Sequence, residues 1–232
     1  MTEQLSKVLA QKGIRLGEYE KAMQMYHEML LEWNRRMDLT NVAPDEMALR
    51  HYADSLVPLN HPAWFQQGSS MIDVGTGAGF PGMVIGIMRP DMEIMLLDSL
   101  KKRCNFLSAV IKSLQLKNVS VIHARAEDAA RGDWRGRFDI AVARAVAPMR
   151  VLVEYLLPFV KVGGEALCWK GPGLDEELSD LKSALFLLKG RLGDRFELEL
   201  PGLEHSVQAV VKMSPTPVLY PRKAGLPQKS PL

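Results

Sequence analysis

The stretch that decides the fold is Ile72-Asp73-Val74-Gly75-Thr76-Gly77-Ala78-Gly79-Phe80-Pro81-Gly82. An apolar run ends at Val74, and glycines at positions 75, 77 and 79 then permit positive φ angles and close approach of a ligand to the backbone. Pro81 suits the first position of a helix, where the backbone N–H has no intrahelical partner. The stretch therefore predicts a buried strand, a glycine-rich turn and a helix whose free amides face whatever the turn binds.

From residue 71 onward, apolar runs alternate with amphipathic stretches. This alternation predicts an α/β fold, in which a mostly parallel sheet carries helices on both faces. The predicted strands are residues 71–74, 93–98, 119–123, 138–143, 164–169, 195–200 and 207–213. The predicted helices are residues 81–89, 101–115, 127–131, 149–159 and 174–189, and helical periodicity also covers 1–12, 17–36 and 47–56 near the N-terminus.

The last two predicted strands must form a hairpin. Only residues 201–205 separate them, which is too short for a crossover helix, so we expect antiparallel pairing. A mostly parallel sheet that ends in an antiparallel hairpin is typical of Rossmann-like class I methyltransferases. We accordingly divide the chain into an N-terminal helical segment (1–68), a cofactor-binding domain (69–213) and a basic, proline-rich tail (214–232) that should be extended.

Two classes of cofactor suit such a turn. Residues 77–82 match G-x-G-x-x-G, the pattern of dinucleotide sites, but this match alone is a weak signal. Asp73 favours S-adenosylmethionine instead, because its carboxylate accepts from the methionine ammonium and would repel a pyrophosphate. Phe80 favours it too, since a dinucleotide needs open amides where Phe80 offers an apolar edge. The predicted cofactor residues of the turn are Asp73, Gly75, Thr76, Gly77 and Phe80.

Further candidate residues follow the other strands at their carboxyl ends, where ligands bind in doubly wound sheets. Asp98 ends the second strand, and a carboxylate there takes two ribose hydroxyls in either class of cofactor site. Ala126 and Glu127 follow the third strand, where a backbone N–H and a carboxylate can read the edge of adenine. Arg144 and Lys170 follow the fourth and fifth strands and should bring two cations to the same rim.

Basic residues elsewhere could form one face for phosphates. The net charge of +2 is too small to support this, and a scattered solvated surface explains the same residues equally well. No RNA-binding motif with interleaved aromatic residues is present. The members of the possible basic face are Lys101, Lys102, Arg103, Arg131, Arg135, Arg137, Arg144, Arg150, Arg222 and Lys223.

Composition argues against several other classes of protein. The two cysteines, Cys104 and Cys168, lie in apolar runs and form no disulfide framework, and no Cys/His spacing typical of a metal site occurs. The N-terminus has no apolar stretch of signal-peptide length, and no run of about 18 apolar residues exists. We expect a cytoplasmic protein with neither a metal nor a membrane partner.

Separate blocks along the chain resemble one known family, the bacterial 16S ribosomal RNA guanine-N7 methyltransferases, also called glucose-inhibited division protein B. The blocks are Trp33-Asn34, Leu39-Thr40, His51, Asp54-Ser55-Leu56, Gly79-Phe80-Pro81-Gly82, Leu97-Asp98-Ser99-Leu100, Lys102-Arg103, Arg125-Ala126-Glu127, Ala143-Arg144-Ala145, Lys170-Gly171 and Tyr220-Pro221-Arg222-Lys223-Ala224-Gly225-Leu226-Pro227. They span nearly the whole chain in the family's order. Asp38 departs from the family, which usually has asparagine before Leu-Thr.

The resemblance implies transfer of a methyl group from S-adenosylmethionine to N7 of a guanine in 16S rRNA near the decoding centre. It implies a cytoplasmic partner, the small ribosomal subunit, and we expect the protein itself to be a monomer. It adds Ser99, Leu100 and Arg144 to the cofactor residues. The candidate RNA-binding residues are Arg144, Lys170, Arg222 and Lys223.

Guanine N7 has a lone pair and no proton, so its methylation requires no general base. We therefore assign Arg144 a positioning role and expect no acid–base dyad. Three other classes stay open from the residues alone. They are a methyltransferase for a small molecule or a protein, a nicotinamide-dependent oxidoreductase, and a non-enzymatic RNA-binding or ribosome assembly factor.

Overall fold

Seven strands form one sheet in the computed structural model, which describes residues 1–232. The strands are β1 (Ser70–Val74), β2 (Glu93–Asp98), β3 (Val119–His123), β4 (Phe138–Arg144), β5 (Val160–Lys170), β6 (Gly190–Glu197) and β7 (Ser206–Lys212). Their order is β3-β2-β1-β4-β5-β7-β6, and β7 runs in the opposite direction to the other six strands. The predicted fold class, including the C-terminal hairpin, is confirmed.

Helices pack against both faces of this sheet. They are α1 (Thr2–Gln11), α2 (Glu20–Met37), α3 (Asp54–Leu56), α4 (Gly82–Met88), α5 (Lys101–Leu114), α6 (Ala126–Ala129), α7 (Met149–Leu156), α8 (Leu174–Ser179), α9 (Lys182–Leu188) and α10 (Leu226–Lys229). A π-helical stretch, Ala48–Ala53, runs directly into α3. Shorter 3-10 helices are Gly17–Tyr19, Val57–Asn60 and Leu157–Phe159. None of the helices combines the length and apolar character that a membrane crossing needs.

The strands separate two hydrophobic cores, because alternate side chains point to opposite faces. Met71 on β1 belongs to a core of 38 buried residues, whereas its neighbour Ile72 belongs to a core of 26. The first core also contains Met23, Tyr26 and Leu30 of α2, all without exposed surface. The N-terminal helices thus share their core with the sheet, and the division at residue 68 stays a prediction.

Several predictions of local structure are wrong. The predicted helix 174–189 is two helices, α8 and α9, and the fifth strand begins at Val160 rather than 164. The sixth strand begins at Gly190 rather than 195, and its register against β7 shifts between Leu192 and Arg195. Glycines and charged residues give this segment low strand propensity, so its pairing with β7 determines its start. The tail is not wholly extended, because its last part forms the short helix α10.

The turn after β1 is packed tightly against the first residue of α4. The Gly82 amide donates to Oδ2 of Asp73 at 2.8 Å, which draws the start of α4 onto β1. A Cβ atom at position 82 would lie 2.8 Å from the Asp73 side chain and closer still to Leu96. Only glycine allows this approach between helix and strand.

Gly82→Ala should therefore destabilise the protein. Overpacking of this kind lowers the free energy of unfolding by about 1–3 kcal/mol, and each kcal/mol lowers Tm by about 2–4 °C in a protein of this size. Gly132→Ala is the matched control, since a Cβ there would meet nothing closer than 3.8 Å. Equal melting temperatures of the two variants would contradict the close packing at Gly82.

Candidate functional site

The glycine-rich turn between β1 and α4 is closed by its own hydrogen bonds. The amides of Gly75 and Thr76 donate to the carbonyl of Leu97 on β2, at 2.8 and 3.1 Å. The Gly82 amide donates to the Asp73 carboxylate, so the prediction of free amides that face a ligand is wrong. A pyrophosphate needs several free amides, which makes this turn a poor dinucleotide site. The amides engaged in this way are those of Gly75, Thr76, Gly77, Gly79, Phe80 and Gly82.

Asp73 lies under the turn with none of its surface exposed. Its Oδ2 accepts from the Thr76 hydroxyl at 2.7 Å and from the Gly82 amide at 2.8 Å, whereas Oδ1 has no hydrogen-bond partner. Burial raises the pKa of this carboxyl to about 6, although the bonds from Thr76 and Gly82 oppose the rise. Buried acceptors without a donor are rare in proteins. Oδ1 thus has capacity for a further donor, but Asp73 lines neither cavity, so its contact with an ammonium group stays a prediction.

A cavity of about 180 Å³ opens beside the turn at the carboxyl ends of the strands. Leu97 and Val146 contribute apolar walls, and Ser99 and Glu127 add polar groups. A Cβ atom on Gly75 would lie 2.9 Å from Val146, so glycine is required at this wall. An apolar slot with a few polar groups suits a purine ring. The predicted cofactor residues that line it are Gly75, Ser99, Ala126 and Glu127.

A second cavity, of about 340 Å³, shares Gly75 with the first. No carboxylate is in its lining, which contains Arg50, Arg103 and Arg144 together with His51 and His205. Each of these arginines forms an ion pair with a carboxylate that lies outside the lining. The predicted residues that border it are Gly75, Thr76, Gly77, Phe80 and Arg144. Larger cavities of about 570 and 450 Å³ lie at the opposite edge of the sheet and contain none of the predicted residues.

Asp98 supports the turn from the end of β2 and is only 2% exposed. Its Oδ2 accepts from the Gly77 amide at 3.0 Å, and its Oδ1 accepts from the Leu100 amide at 2.8 Å. Oδ2 also accepts from Arg103 at 3.4 Å, so the lone pair that Asp98 retains for a ribose hydroxyl is on Oδ1. The Leu100 side chain is 43% exposed and lines neither cavity, so its link to the site is the amide.

Arg144, at the end of β4, forms hydrogen bonds with three residues of the N-terminal segment. One terminal nitrogen donates to Oδ2 of Asp54 at 2.9 Å and to the carbonyl of Arg50 at 2.8 Å. The other donates to Nδ1 of His51 at 3.0 Å, and the guanidinium lies 5.3 Å from the centre of the Phe80 ring. Because Asp54 has no exposed surface, this ion pair fixes the arginine firmly.

His51 is kept neutral by its surroundings. Burial, followed by the neighbouring Arg144 charge, lowers the pKa of its imidazole to about 3. Since Nδ1 accepts from Arg144, the proton must be on Nε2, which donates to the Thr40 hydroxyl at 2.7 Å. The ring also stacks on Phe80 with centroids 4.5 Å apart. His51 therefore orients its neighbours and is unsuited to act as a base.

Sequence reasoning assigned no role to three residues of this network. Asp54 and His51 belong to the N-terminal segment, and they were noted only as parts of the blocks that resemble the family. His205 lies between β6 and β7, and its Nδ1 donates to the second carboxylate oxygen of Asp54 at 2.6 Å. No local motif marks His205, because its partner is 151 residues away.

Three predicted RNA-binding cations lie outside both cavities. Lys170 pairs with Glu177 at 2.7 Å. Arg222 pairs with Glu154, which has no exposed surface, while its own side chain is 17% exposed, so its contact with RNA stays a prediction. Lys223 is exposed. Three arginines of the proposed basic face donate from their guanidinium groups to carbonyls of the tail. They are Arg131, Arg135 and Arg150.

Solved structures that share this fold include proteins that bind S-adenosylmethionine. An Aeropyrum pernix fibrillarin with natively bound S-adenosyl-L-methionine is 16% identical, with a TM-score of 0.54 over 68% of this chain and 73% of that chain. An Aquifex aeolicus SAM-dependent methyltransferase is 17% identical, with a TM-score of 0.53 over 80% and 98%. These likenesses show the Rossmann-like fold of class I methyltransferases.

Within that class, residues 19–195 match the family model of rRNA small subunit methyltransferase G. A ribosomal RNA small subunit methyltransferase G from Clostridium perfringens is 45% identical over 98% of this chain and 97% of its own. Its counterpart from Leuconostoc citreum is 43% identical over 99% and 98%. The chain belongs to this family, which confirms the resemblance found in the sequence.

Asp73→Asn should reveal the buried charge in the pH dependence of stability. The folded pKa of about 6 exceeds the ordinary 3.8, so the folded protein binds more protons than the unfolded chain between these values. Stability of wild type relative to the variant should fall on the order of 2–3 kcal/mol as pH rises through this window. Urea unfolding at several pH values measures the difference.

Asp139→Asn is the control, because the pKa of Asp139 is shifted in the opposite direction to that of Asp73. Lys161 and Ser70 bind the Asp139 carboxylate and hold its pKa below the ordinary value, although burial opposes them. Wild type should therefore gain stability relative to this variant as pH rises through the ordinary range of an aspartate. Parallel profiles for the two variants would contradict the charge state inferred for Asp73.

Proposed function

We propose that this protein transfers the methyl group of S-adenosylmethionine to N7 of a guanine in 16S rRNA near the decoding centre. The observation that carries the proposal is the second cavity, which adjoins the turn and brings the three arginines Arg50, Arg103 and Arg144 to its lining. Such a lining suits a nucleotide with flanking phosphates. The family of the chain, whose named members are ribosomal RNA methyltransferases, supports the same substrate.

The residues of the first cavity and the turn fit the cofactor. Oδ1 of Asp73 is the acceptor for the ammonium, and Asp98 is the acceptor for ribose hydroxyls. Leu97 and Val146 form the walls of the adenine slot. Glu127 supplies an acceptor beside that slot.

The methyl group reaches N7 without proton transfer, because N7 has a lone pair and no hydrogen. Bound S-adenosylmethionine supplies an electrophilic methyl group. The chain therefore has to orient the base, and orientation alone supplies up to roughly 7–11 kcal/mol of a reaction barrier. His51 is neutral with both ring nitrogens engaged, and Asp54 is paired with Arg144, so neither acts as a base.

Arg144 is the residue that orients the guanine. A guanidinium has five N–H donors, and three are engaged by Arg50, His51 and Asp54. The two that remain hold O6 of guanine or a flanking phosphate and leave N7 free for the methyl group. The base must lie in an open loop or leave its stack to enter the cavity.

The partner is the small ribosomal subunit or its 16S rRNA, and the protein acts as a cytoplasmic monomer. Incubation with tritiated S-adenosylmethionine and separate subunit, free rRNA, protein and metabolite pools tests this directly. Label should enter the RNA, and mass mapping should find 7-methylguanosine at one nucleotide. Label in the protein or metabolite pool would favour the alternative methyltransferase, and subunit binding without cofactor binding would favour an assembly factor.

Arg144→Lys should lower kcat/KM for small subunits by about 10²–10³-fold, the usual effect of losing one fixed donor to a transition state. Lysine is a point charge and cannot bind Asp54, His51 and the guanine together. Arg137→Lys is the matched control, because Arg137 lies at the other end of β4, over Trp134. Single-turnover methylation within twofold of wild type for Arg144→Lys would remove it from this role.

A further inference from the structure

The tail, residues 214–232, returns from the end of β7 to the carboxyl edge of the sheet. Arginine side chains that donate to its carbonyl groups hold it on this path. Arg135 donates to three tail carbonyls at 2.7 to 3.1 Å, and Arg131 donates to a fourth at 3.0 Å. These bonds account for arginines that the sequence had suggested as a surface for phosphates.

The strongest anchor of the tail is the ion pair between Arg222 and Glu154 of α7. The Arg222 guanidinium donates to both carboxylate oxygens at 2.6 to 3.1 Å, and its amide donates to the same carboxylate at 2.8 Å. Bidentate pairs of this kind fix both position and direction. Because Glu154 has no exposed surface, residue 222 has a defined place in the fold.

Beyond this anchor the tail reaches the first cavity. The Gly225 amide donates to Oε1 of Glu127 at 2.8 Å, and Glu127 itself lines that cavity and is 4% exposed. Gly225 has φ of +79°, a conformation that glycine adopts without strain, and it begins α10 there. Gly225 and Gln228 line the same cavity as Val146 and Leu97.

We propose that residues 222–228 form a wall of the cofactor site and that Gln228 is a specificity-determining contact for adenine. This inference rests on the cofactor site proposed above. Glu127 offers only acceptors when ionised, and one of its oxygens is occupied by the tail. The carboxamide of Gln228 offers a donor and an acceptor together, which is the arrangement that pairs with N6 and N7 of adenine.

The test is binding of S-adenosylhomocysteine, measured by calorimetry without turnover. Gln228→Ala should weaken binding about tenfold, the effect of losing about one hydrogen-bonded contact. Lys229→Ala is the matched control, because Lys229 is exposed on the same helix and lines neither cavity, and its affinity should stay within twofold of wild type.

A second ligand tests the specificity. S-inosylhomocysteine has oxygen in place of the adenine amino group, so wild type should bind it more weakly than S-adenosylhomocysteine. Gln228→Ala should reduce this difference, whereas Lys229→Ala should preserve it. A purely structural tail would change the affinity for both ligands by the same factor.

A chain that ends at Lys223 keeps the Arg222–Glu154 pair and removes α10. It should lose at least as much affinity as Gln228→Ala, and its melting curve reports whether it folds. Absence of binding by wild type would overturn the proposed cofactor site. Normal binding by wild type together with unchanged affinity and discrimination in Gln228→Ala would overturn the present inference alone.

Discussion

The carboxylate of Asp73 is the group on which the site depends, because one of its oxygens joins three parts of the structure. Oδ2 binds the turn through Thr76 and the helix α4 through Gly82, while the residue itself lies in the buried strand β1. The other oxygen has no partner, and burial keeps the pKa of the group near 6. The fold thus stabilises the turn through one oxygen of this carboxylate and leaves the other oxygen without a partner.

A second buried carboxylate, Asp54, organises the end of the cleft where the substrate is proposed to bind. It accepts from Arg144 on one oxygen and from His205 on the other. Removing one member of a buried charge pair leaves the other uncompensated, so the position of Arg144 is tied to the N-terminal segment. The helices before the sheet are consequently part of the site. Tyr26 makes the same connection at the turn, where its hydroxyl donates to the Ala78 carbonyl at 2.6 Å.

The local sequence pattern was sufficient to predict the sheet, the hairpin and the turn. The burial of a strand and the spacing of glycines both depend on residues that are neighbours in the sequence. It was also sufficient to bring Arg144 to the cleft, since the end of a parallel strand determines where its last side chain lies. It did not reveal that Arg222 pairs with Glu154, which lies 68 residues away in the sequence. It failed for His205 for the same reason. Partners that are distant in sequence decide whether a charge is available to a ligand.

Asp54 binds residues from distant parts of the chain, and this affects how the protein would lose activity when it partly unfolds. Proteins open in cooperative units, and some units open well below the global unfolding free energy. Separation of the N-terminal helices from the sheet would withdraw Asp54 from Arg144 and Tyr26 from the turn in one event. The sheet would retain its own ladder of backbone bonds. Loss of these contacts would therefore remove the position of Arg144 and the support of the turn together.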